Sequence, residues 1–318
     1  MSSAQAKIFD STRLFSSVAV ALVVVLSFFL DRLNSHSDIT WQVVVALVAL
    51  AVGIPHGALD HLVTLPRSSI SRMTFFICAY VAIAVLAVWA ILKWNVIGFA
   101  GVVVMSVLHF GIGDAAFITE QNRAAGSRHF GRISQALYAV SAGALPVVIP
   151  LTNHESTTAL KVVNEDLVRW HGGWDSELML GVLSLACVTL IFLSLSRRWR
   201  DVIDIVLLAL LSLISPPLVA FAAYFGLWHA MRHTARLTLN LKNSQKFVAS
   251  NQPGKAFQHA VLPGIPALVG TFIVSFMIGI NTPGKLSDEF LWLSLVVVWA
   301  LTVPHMMVTA KLDKAALR

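Results

Sequence analysis

The sequence predicts an all-α integral membrane protein, a polytopic bundle of about ten transmembrane helices in a single domain covering residues 1–318. Hydrophobic residues make up 57% of the chain and charged residues only 12%, and the mean hydropathy is +0.77. A soluble domain of this size carries roughly 25% charged residues. The apolar residues also fall in runs close to the ~20 residues that a helix needs to cross a bilayer.

Ten apolar segments account for most of the chain. The expected spans are residues 14–31, 41–63, 73–92, 96–117, 131–151, 177–196, 202–214, 217–237, 259–281 and 290–310. The first follows a basic start and ends at Asp31 without a small-residue cleavage pattern, so we interpret it as a retained span rather than a signal peptide. The seventh is short and ends at Ser215-Pro216-Pro217, so the pattern leaves open whether it is a full span.

The distribution of basic residues predicts the orientation of the chain. The net charge is +7, but the Lys and Arg residues lie in short patches between apolar runs and form no basic domain, which argues against a nucleic-acid partner. With the N-terminus in the cytoplasm, most of the 23 basic residues fall in cytoplasmic stretches, as the positive-inside rule requires. Those expected outside are Arg32, Lys93, Lys161, Arg169 and Lys285. This split predicts ten spans with both termini cytoplasmic, in the cell (inner) membrane.

Five of the eleven histidines lie inside predicted spans, and two more, His61 and His259, lie at span ends. The five inside spans are His56, His109, His229, His233 and His305. Ionisable side chains at membrane depth are costly and usually face a bundle interior or a cavity. On the ten-span map these histidines approach one layer near the cytoplasmic side, although they come from distant parts of the chain. The alternative for any one of them is an imidazole that is hydrogen-bonded to a neighbouring helix.

Spacing within the helices suggests a metal site. His229 and His233 are four residues apart, so both project from one helix face and can chelate one ion. An all-imidazole donor set suits zinc, copper, iron or nickel. Asp60 follows His56 by the same spacing and could accept the second N–H of a ligand imidazole. Its alternative is a charge at the cytoplasmic end, near Arg67.

A second carboxylate and a group of aromatic residues accompany the histidines. Asp114 follows His109 by five residues, about 140° around a helix, so sharing its face requires local distortion. Long apolar ligands suit aromatic walls. The candidate lining residues are Phe110, Phe221, Phe225, Trp228 and Trp299. The alternative for all of them is ordinary helix packing or lipid contact.

Three motifs resemble those of the Brp/Blh family of microbial β-carotene 15,15′-dioxygenases. Residues 53–60, Gly-Ile-Pro-His-Gly-Ala-Leu-Asp, resemble the family's first histidine motif. Residues 109–114, His-Phe-Gly-Ile-Gly-Asp, resemble the second, and residues 228–233, Trp-His-Ala-Met-Arg-His, resemble the third. The Pro304-His305 pair is also similar to the family. The resemblance extends from the second expected span to the tenth.

This resemblance implies an enzyme that cleaves the central double bond of β-carotene with O2 to give two all-trans-retinal. It implies Fe(II) as the cofactor, with His56, His109, His229 and His233 as the catalytic ligands and His305 as a fifth ligand or a near neighbour. The implied partners are β-carotene, O2, membrane lipid and a retinal-using rhodopsin downstream. β-Carotene has no ionisable proton, so activation of O2 by a redox metal suits it better than acid–base catalysis.

Other functions remain open from the sequence. The run from His56 to Asp60-His61 resembles a motif of nickel/cobalt permeases, with one residue fewer between the first His and the Asp. A non-catalytic carotenoid or retinal-binding membrane protein would need the same apolar lining. A membrane di-iron desaturase would need additional histidine clusters of the H-x2-HH type.

Overall fold

The computed structural model describes residues 3–33, 40–65, 69–127, 130–154, 156, 161, 165–266, 268–270, 273 and 288–317. Within these ranges the chain is helical and contains no strand. The longer helices are α1 (Ser3–Leu33), α2 (Thr40–Gly57), α4 (Ile70–Lys93), α5 (Asn95–Ala125), α6 (Arg132–Leu151), α7 (Asp175–Leu195), α8 (Trp199–Ile214) and α13 (Asp288–Ala316). The shorter ones are α3 (Asp60–Thr64), α9 (Pro217–Ala223), α10 (Ala230–Leu237), α11 (Lys242–Ala249) and α12 (Pro253–Val261). A π-helical turn (Tyr224–His229) joins α9 to α10, and 3-10 turns occupy Glu165–Arg169 and Leu262–Gly264.

Five of the described helices are long and apolar enough to cross a membrane, by length and composition. They are Ala4–Leu30 within α1, Ile70–Lys93, Asn95–Ala125, Arg132–Leu151 and Asp175–Leu195. The all-helical class is therefore confirmed, and the helices are compatible with a membrane protein. Ten spans, cytoplasmic termini and a single domain stay predictions. Residues 267, 271–272 and 274–281 of the expected span 259–281 lie outside the described residues.

Helices α5 and α6 pack closely against each other. Their crossing depends on two glycines: a Cβ at Gly111 would overlap the backbone of Ala139, and a Cβ at Gly143 would overlap that of Val107. Small residues of this kind let two helix backbones approach each other in membrane proteins. Around this pair, α2 packs on α9 and the π-helical turn, while α13 packs on α4 and α5. The histidine-bearing helices are thereby held side by side.

A buried ion network connects α1, α8 and α10. Arg13 donates to Asp201 at 2.6 Å and to Asp204 at 2.9 Å. Arg232 donates to the same Asp204 carboxylate at 3.1 Å and to the Ser16 hydroxyl at 3.1 Å. These side chains are almost completely buried, so each charge depends on its partners for compensation. The N-terminal helix is thereby fixed to the helix that carries His233.

A second buried ion cluster joins α5, α10 and α13. Arg236 donates to Glu120 at 2.9 Å and to Asp313 at 2.7 Å. The positive-inside prediction counts Arg13, Arg232 and Arg236 as cytoplasmic charges, but all three are buried ion-pair partners. These three arginines therefore also take part in helix packing, and the orientation stays a prediction.

The expected span 217–237 is interrupted by the π-helical turn. A π-helix contains more residues per turn than an α-helix, so the side chains that follow it point in a different direction. His229 ends the turn, and His233 lies in α10. The two imidazoles stay on one side and stack at a centroid distance of 6.1 Å.

Candidate active site

The structure brings all five predicted histidines together in one cluster. The ring centre of His109 lies 4.9 Å from that of His229 and 5.0 Å from that of His305. The ring of His56 lies 5.3 Å from both His233 and His305 and 5.7 Å from His229. The rings come from α2, α5, the π-helical turn, α10 and α13. None of the five is more than 6% exposed, so the cluster is closed to bulk solvent.

Most of these imidazoles turn Nδ1 towards a protein acceptor. The Nδ1 of His56 hydrogen-bonds the carbonyl oxygen of Gly53, and that of His305 lies 2.9 and 3.0 Å from the two carboxylate oxygens of Asp60. The Nδ1 of His109 lies 3.5 Å from the Thr309 hydroxyl. An acceptor at Nδ1 holds the proton there and leaves the Nε2 lone pair available to a ligand.

Several ring nitrogens in the cluster are buried without a hydrogen bond from any part of the chain that the structure describes. They are both nitrogens of His229, both nitrogens of His233 and Nε2 of His305. Buried polar atoms without a partner are rare and call for an explanation, such as an ion. Unpartnered imidazole nitrogens facing a shared interior are chemically suited to a transition metal.

The carboxylate of Asp60 contacts a different histidine from the one its sequence spacing suggests. Helix α2 ends at Gly57, a turn follows, and Asp60 begins the separate helix α3. The i, i+4 relation to His56 is therefore broken, and Asp60 binds His305 instead. The Tyr80 hydroxyl donates to the same carboxylate at 3.0 Å.

Asp114 lies beside His229 and not beside His109. Its Oδ2 accepts hydrogen bonds from the Trp228 indole at 2.9 Å and from the Tyr224 hydroxyl at 3.2 Å. Its Oδ1 lies 3.9 Å from the Nδ1 of His229. Asp114 therefore does not share the face of His109, which would have required a distorted helix, and its carboxylate faces a neighbouring helix instead.

Two of the five predicted aromatic residues pack against the imidazoles, and a third extends this wall. The ring centre of Phe110 lies 4.7 Å from that of His229, and Phe225 lies 5.6 Å from His56. Phe221 stacks on Phe225 at 6.4 Å. The other two predicted residues lie elsewhere. The Trp228 ring packs under Arg232 and bonds Asp114, and Trp299 packs against Phe99 at 5.2 Å.

Glycines in the sequence motifs make room for rings from other helices. A Cβ at Gly113 would lie 3.1 Å from Cε1 of His229, whereas a Cβ at Gly57 would meet Nδ1 of His305 at an ordinary contact distance of 3.6 Å. A Cβ at Gly53 would overlap the Phe225 ring. Gly53 and Gly113 therefore allow rings from other helices to pack at the site.

The spacing of four ring pairs is close to that of imidazoles on a shared metal ion, whereas His229 and His233, at 6.1 Å, are farther apart. Two imidazoles on one metal, with metal–nitrogen distances of about 2.1 Å, have ring centres roughly 4.5–5.2 Å apart. The closest pairs in the cluster are near this range, at 4.9 to 5.3 Å. Within the described ranges, no three His, Cys, Asp or Glu side chains already have converged donor atoms. Convergence of three of these nitrogens on one ion therefore requires the side chains to rearrange.

Sequence reasoning missed several polar groups around the cluster. Tyr80 and Thr309 contact Asp60 and His109 from α4 and α13, and Tyr224 contacts Asp114. Thr309 follows His305 by four residues, a spacing that would have placed it on the same helix face. Tyr80 gives no comparable signal, since its partner is twenty residues away in sequence.

The fold and the site define a class: an all-helical protein with membrane-compatible helices and a buried imidazole cluster lined by aromatic rings. The family model described as beta-carotene 15,15′-dioxygenase matches residues 45–313, so the chain belongs to that family. It is also similar to the probable beta-carotene 15,15′-dioxygenase Blh of Halobacterium salinarum, with 28% identity and 84% of each chain covered. No solved structure matches the chain. The family resemblance found in the motifs is confirmed, and every histidine of the cluster lies inside the matched region.

Proposed function

We propose that this protein is a non-haem iron oxygenase that cleaves the central double bond of β-carotene with O2 to give two all-trans-retinal. The observation that carries the proposal is the cluster of five buried imidazoles beside an aromatic wall. Family membership and the printed name of the haloarchaeal relative support the substrate class. The reaction breaks one C=C bond and forms two C=O bonds, so both products are aldehydes.

The proposed iron ligands are His56, His109, His229 and His233, with His305 as a fifth. Neutral imidazoles suit Fe(II), and a set without thiolates or carboxylates leaves the ion its positive charge. Bound Fe(II) supplies the redox chemistry that activates O2, which no amino-acid side chain supplies. The unpartnered nitrogens of His229, His233 and His305 support this assignment.

The surrounding residues bind and orient the substrate. β-Carotene is a hydrocarbon, so its position must be fixed by shape and apolar contact. Phe110 lies against His229 and Phe225 against His56, which holds an apolar surface beside the ligand rings. Phe221 extends that surface through its stack with Phe225. We propose that this wall sets which double bond lies next to the iron.

The proposed location is the cell (inner) membrane, crossed several times by the chain. β-Carotene dissolves in lipid, so a site within a membrane bundle can take it directly from the bilayer. The exposed apolar side chains of α4 and α7 support contact with lipid. Retinal released there would be available to a retinal-using rhodopsin in the same membrane.

The test is expression in cells that accumulate β-carotene. We expect loss of orange colour with appearance of retinal, and loss of that conversion in His56→Ala and His229→Ala. His154→Ala is the matched control, because His154 is exposed and outside the cluster. Labelled O2 then measures how many aldehyde oxygens come from O2. Bound pigment without turnover would instead identify a carrier, and nickel or cobalt uptake without carotenoid loss would identify a permease.

A further inference from the structure

A hydrogen-bonded chain of three side chains reaches the imidazole cluster from the edge of the bundle. The Tyr80 hydroxyl donates to Oδ2 of Asp60 at 3.0 Å. Both oxygens of that carboxylate lie within 3.0 Å of the Nδ1 of His305. The three residues come from α4, α3 and α13, so the contacts join separate segments. Asp60 and His305 are buried, at 5% and 6% exposure.

The hydrogen bond between Asp60 and His305 places the proton of the imidazole on one nitrogen of His305. An ionised carboxylate only accepts hydrogen bonds, so the Nδ1 of His305 must be the donor. The other nitrogen, Nε2, then keeps its lone pair. That atom is buried and has no hydrogen-bond partner among the described residues. It belongs to a ring whose centre lies 5.0 Å from His109 and 5.3 Å from His56.

His305 differs from the other rings in what holds its Nδ1. His56 and His109 face neutral oxygens, the Gly53 carbonyl and the Thr309 hydroxyl. His229 is 3.9 Å from the nearest Asp114 oxygen, beyond hydrogen-bond distance. Within the described cluster, His305 is the ring in direct contact with a carboxylate. A carboxylate at Nδ1 both orients a ligand imidazole and makes it more basic.

We propose that Tyr80 is a positioning residue that acts through Asp60 to hold His305 as a metal ligand. Tyr80 does not touch the ring. Its hydroxyl is also 3.4 Å from the carbonyl oxygen of Leu301, on the helix that carries His305. It therefore orients the carboxylate from α4 while contacting α13. This inference rests on the proposed function, because it concerns the same metal site.

A purely structural role for these contacts predicts a different outcome from a positioning role. If the contacts only hold α4 against α13, removing them by substitution should lower the thermal stability of the protein and leave its metal binding unaltered. Positioning of His305 would change metal affinity and the ligand field of the bound ion. The two roles are separated by measuring both properties on the same full-length protein in detergent.

The variants are Asp60→Asn and Tyr80→Phe, with Tyr138→Phe as the matched control. Tyr138 is buried whereas Tyr80 is half-buried, and the Tyr138 hydroxyl also donates to an aspartate, Asp204, but it lies in the ion network of α1, α8 and α10. Each protein is titrated with Fe(II) without oxygen and, separately, with Co(II), whose visible absorption reports the number and kind of ligands. Turnover of β-carotene and the unfolding temperature are measured in parallel.

We expect Asp60→Asn to weaken metal binding by about 10- to 100-fold, as loss of a carboxylate behind a ligand histidine does elsewhere. Tyr80→Phe should weaken it less, in the same direction, and both should change the Co(II) spectrum. Tyr138→Phe should lower the unfolding temperature and leave affinity and spectrum unaltered. If Asp60→Asn and Tyr80→Phe keep the metal affinity and the Co(II) spectrum of an active wild-type protein, the positioning role is overturned and the proposed function is not. Failure of the unaltered protein to bind either metal would overturn both this inference and the proposed function.

Discussion

The guanidinium carbon of Arg232 lies 3.5 Å from the centre of the Trp228 ring, so the two side chains stack next to the imidazole cluster. Such a cation–π contact is worth about 2 kcal/mol or more when both groups are desolvated. Arg232 also binds Asp204, and Trp228 binds Asp114. The stack therefore links the ion network of α1, α8 and α10 to the carboxylate beside His229.

Replacing Arg232 by Met should strongly destabilise the protein. The substitution keeps an apolar stem but removes a partner of the buried Asp204 carboxylate, and breaking a buried pair costs about 3–5 kcal/mol. Thermal unfolding in detergent measures the effect. The matched control is Arg200→Met. The ion pair of Arg200 with Asp10 is exposed and should contribute about 0–1 kcal/mol to the free energy of unfolding. Equal shifts in the two variants would show that the network adds no more than a surface pair.

Gly53→Ala should impair the conversion of β-carotene while leaving iron bound. The new methyl group would overlap the Phe225 ring, which must move away from His56. Retinal formation and iron content, measured on the same samples, separate the two effects. Gly101→Ala is the control, because a Cβ at Gly101 meets no atom within 4 Å. Wild-type turnover in Gly53→Ala would mean that the position of Phe225 does not matter for the substrate.

Phe225→Ala should alter the site of cleavage as well as its rate. Without this ring the wall no longer holds the polyene against His56, so neighbouring double bonds can approach the metal. Chromatography of the products should then detect apocarotenals of unequal length beside retinal. Phe29→Ala, which removes a ring that is 56% exposed, serves as the control. Retinal as the sole product of Phe225→Ala would contradict the proposed role of the wall.

Gly111→Ala should lower stability, because the added methyl group meets helix backbone and not a flexible side chain. The overlap is with the carbonyl of Ala139, where α5 crosses α6. Overpacking typically costs about 1–3 kcal/mol, and a backbone clash belongs at the upper end. The unfolding temperature is compared with that of Gly181→Ala, where a Cβ has open space. A smaller loss in Gly111→Ala than in the control would contradict this packing.

Local patterns in the sequence carry information about helices and about which histidines meet. Apolar runs predicted the helical class, and the depth of five histidines predicted one cluster. The pairing of Asp60 was not predictable in this way, because helical spacing assumes an unbroken helix and α2 ends at Gly57. The contact of Asp114 with His229 depends on the crossing of two helices distant in sequence.

Buried ion pairs between distant segments also could not be predicted from the pattern of any one segment. Arg13 pairs with residues 188 and 191 positions away, a relation that no periodicity encodes. Trp228 illustrates a further difficulty. An ideal helical wheel groups it with Phe221 and Phe225, but the π-helical turn changes the angle per residue and the ring faces Arg232. The imidazole cluster was predictable because several histidines at one depth are an unusual signal by themselves.

The metal content of the purified protein tests the central proposal most directly. Protein prepared without oxygen and supplied with Fe(II) should hold a single iron per chain. His233→Ala should lose that iron, because it removes a proposed ligand whose two ring nitrogens are buried without a hydrogen-bond partner among the described residues, and His154→Ala should keep it. Stoichiometric zinc or nickel in place of iron, or undiminished iron in His233→Ala, would contradict an iron site built from these five imidazoles.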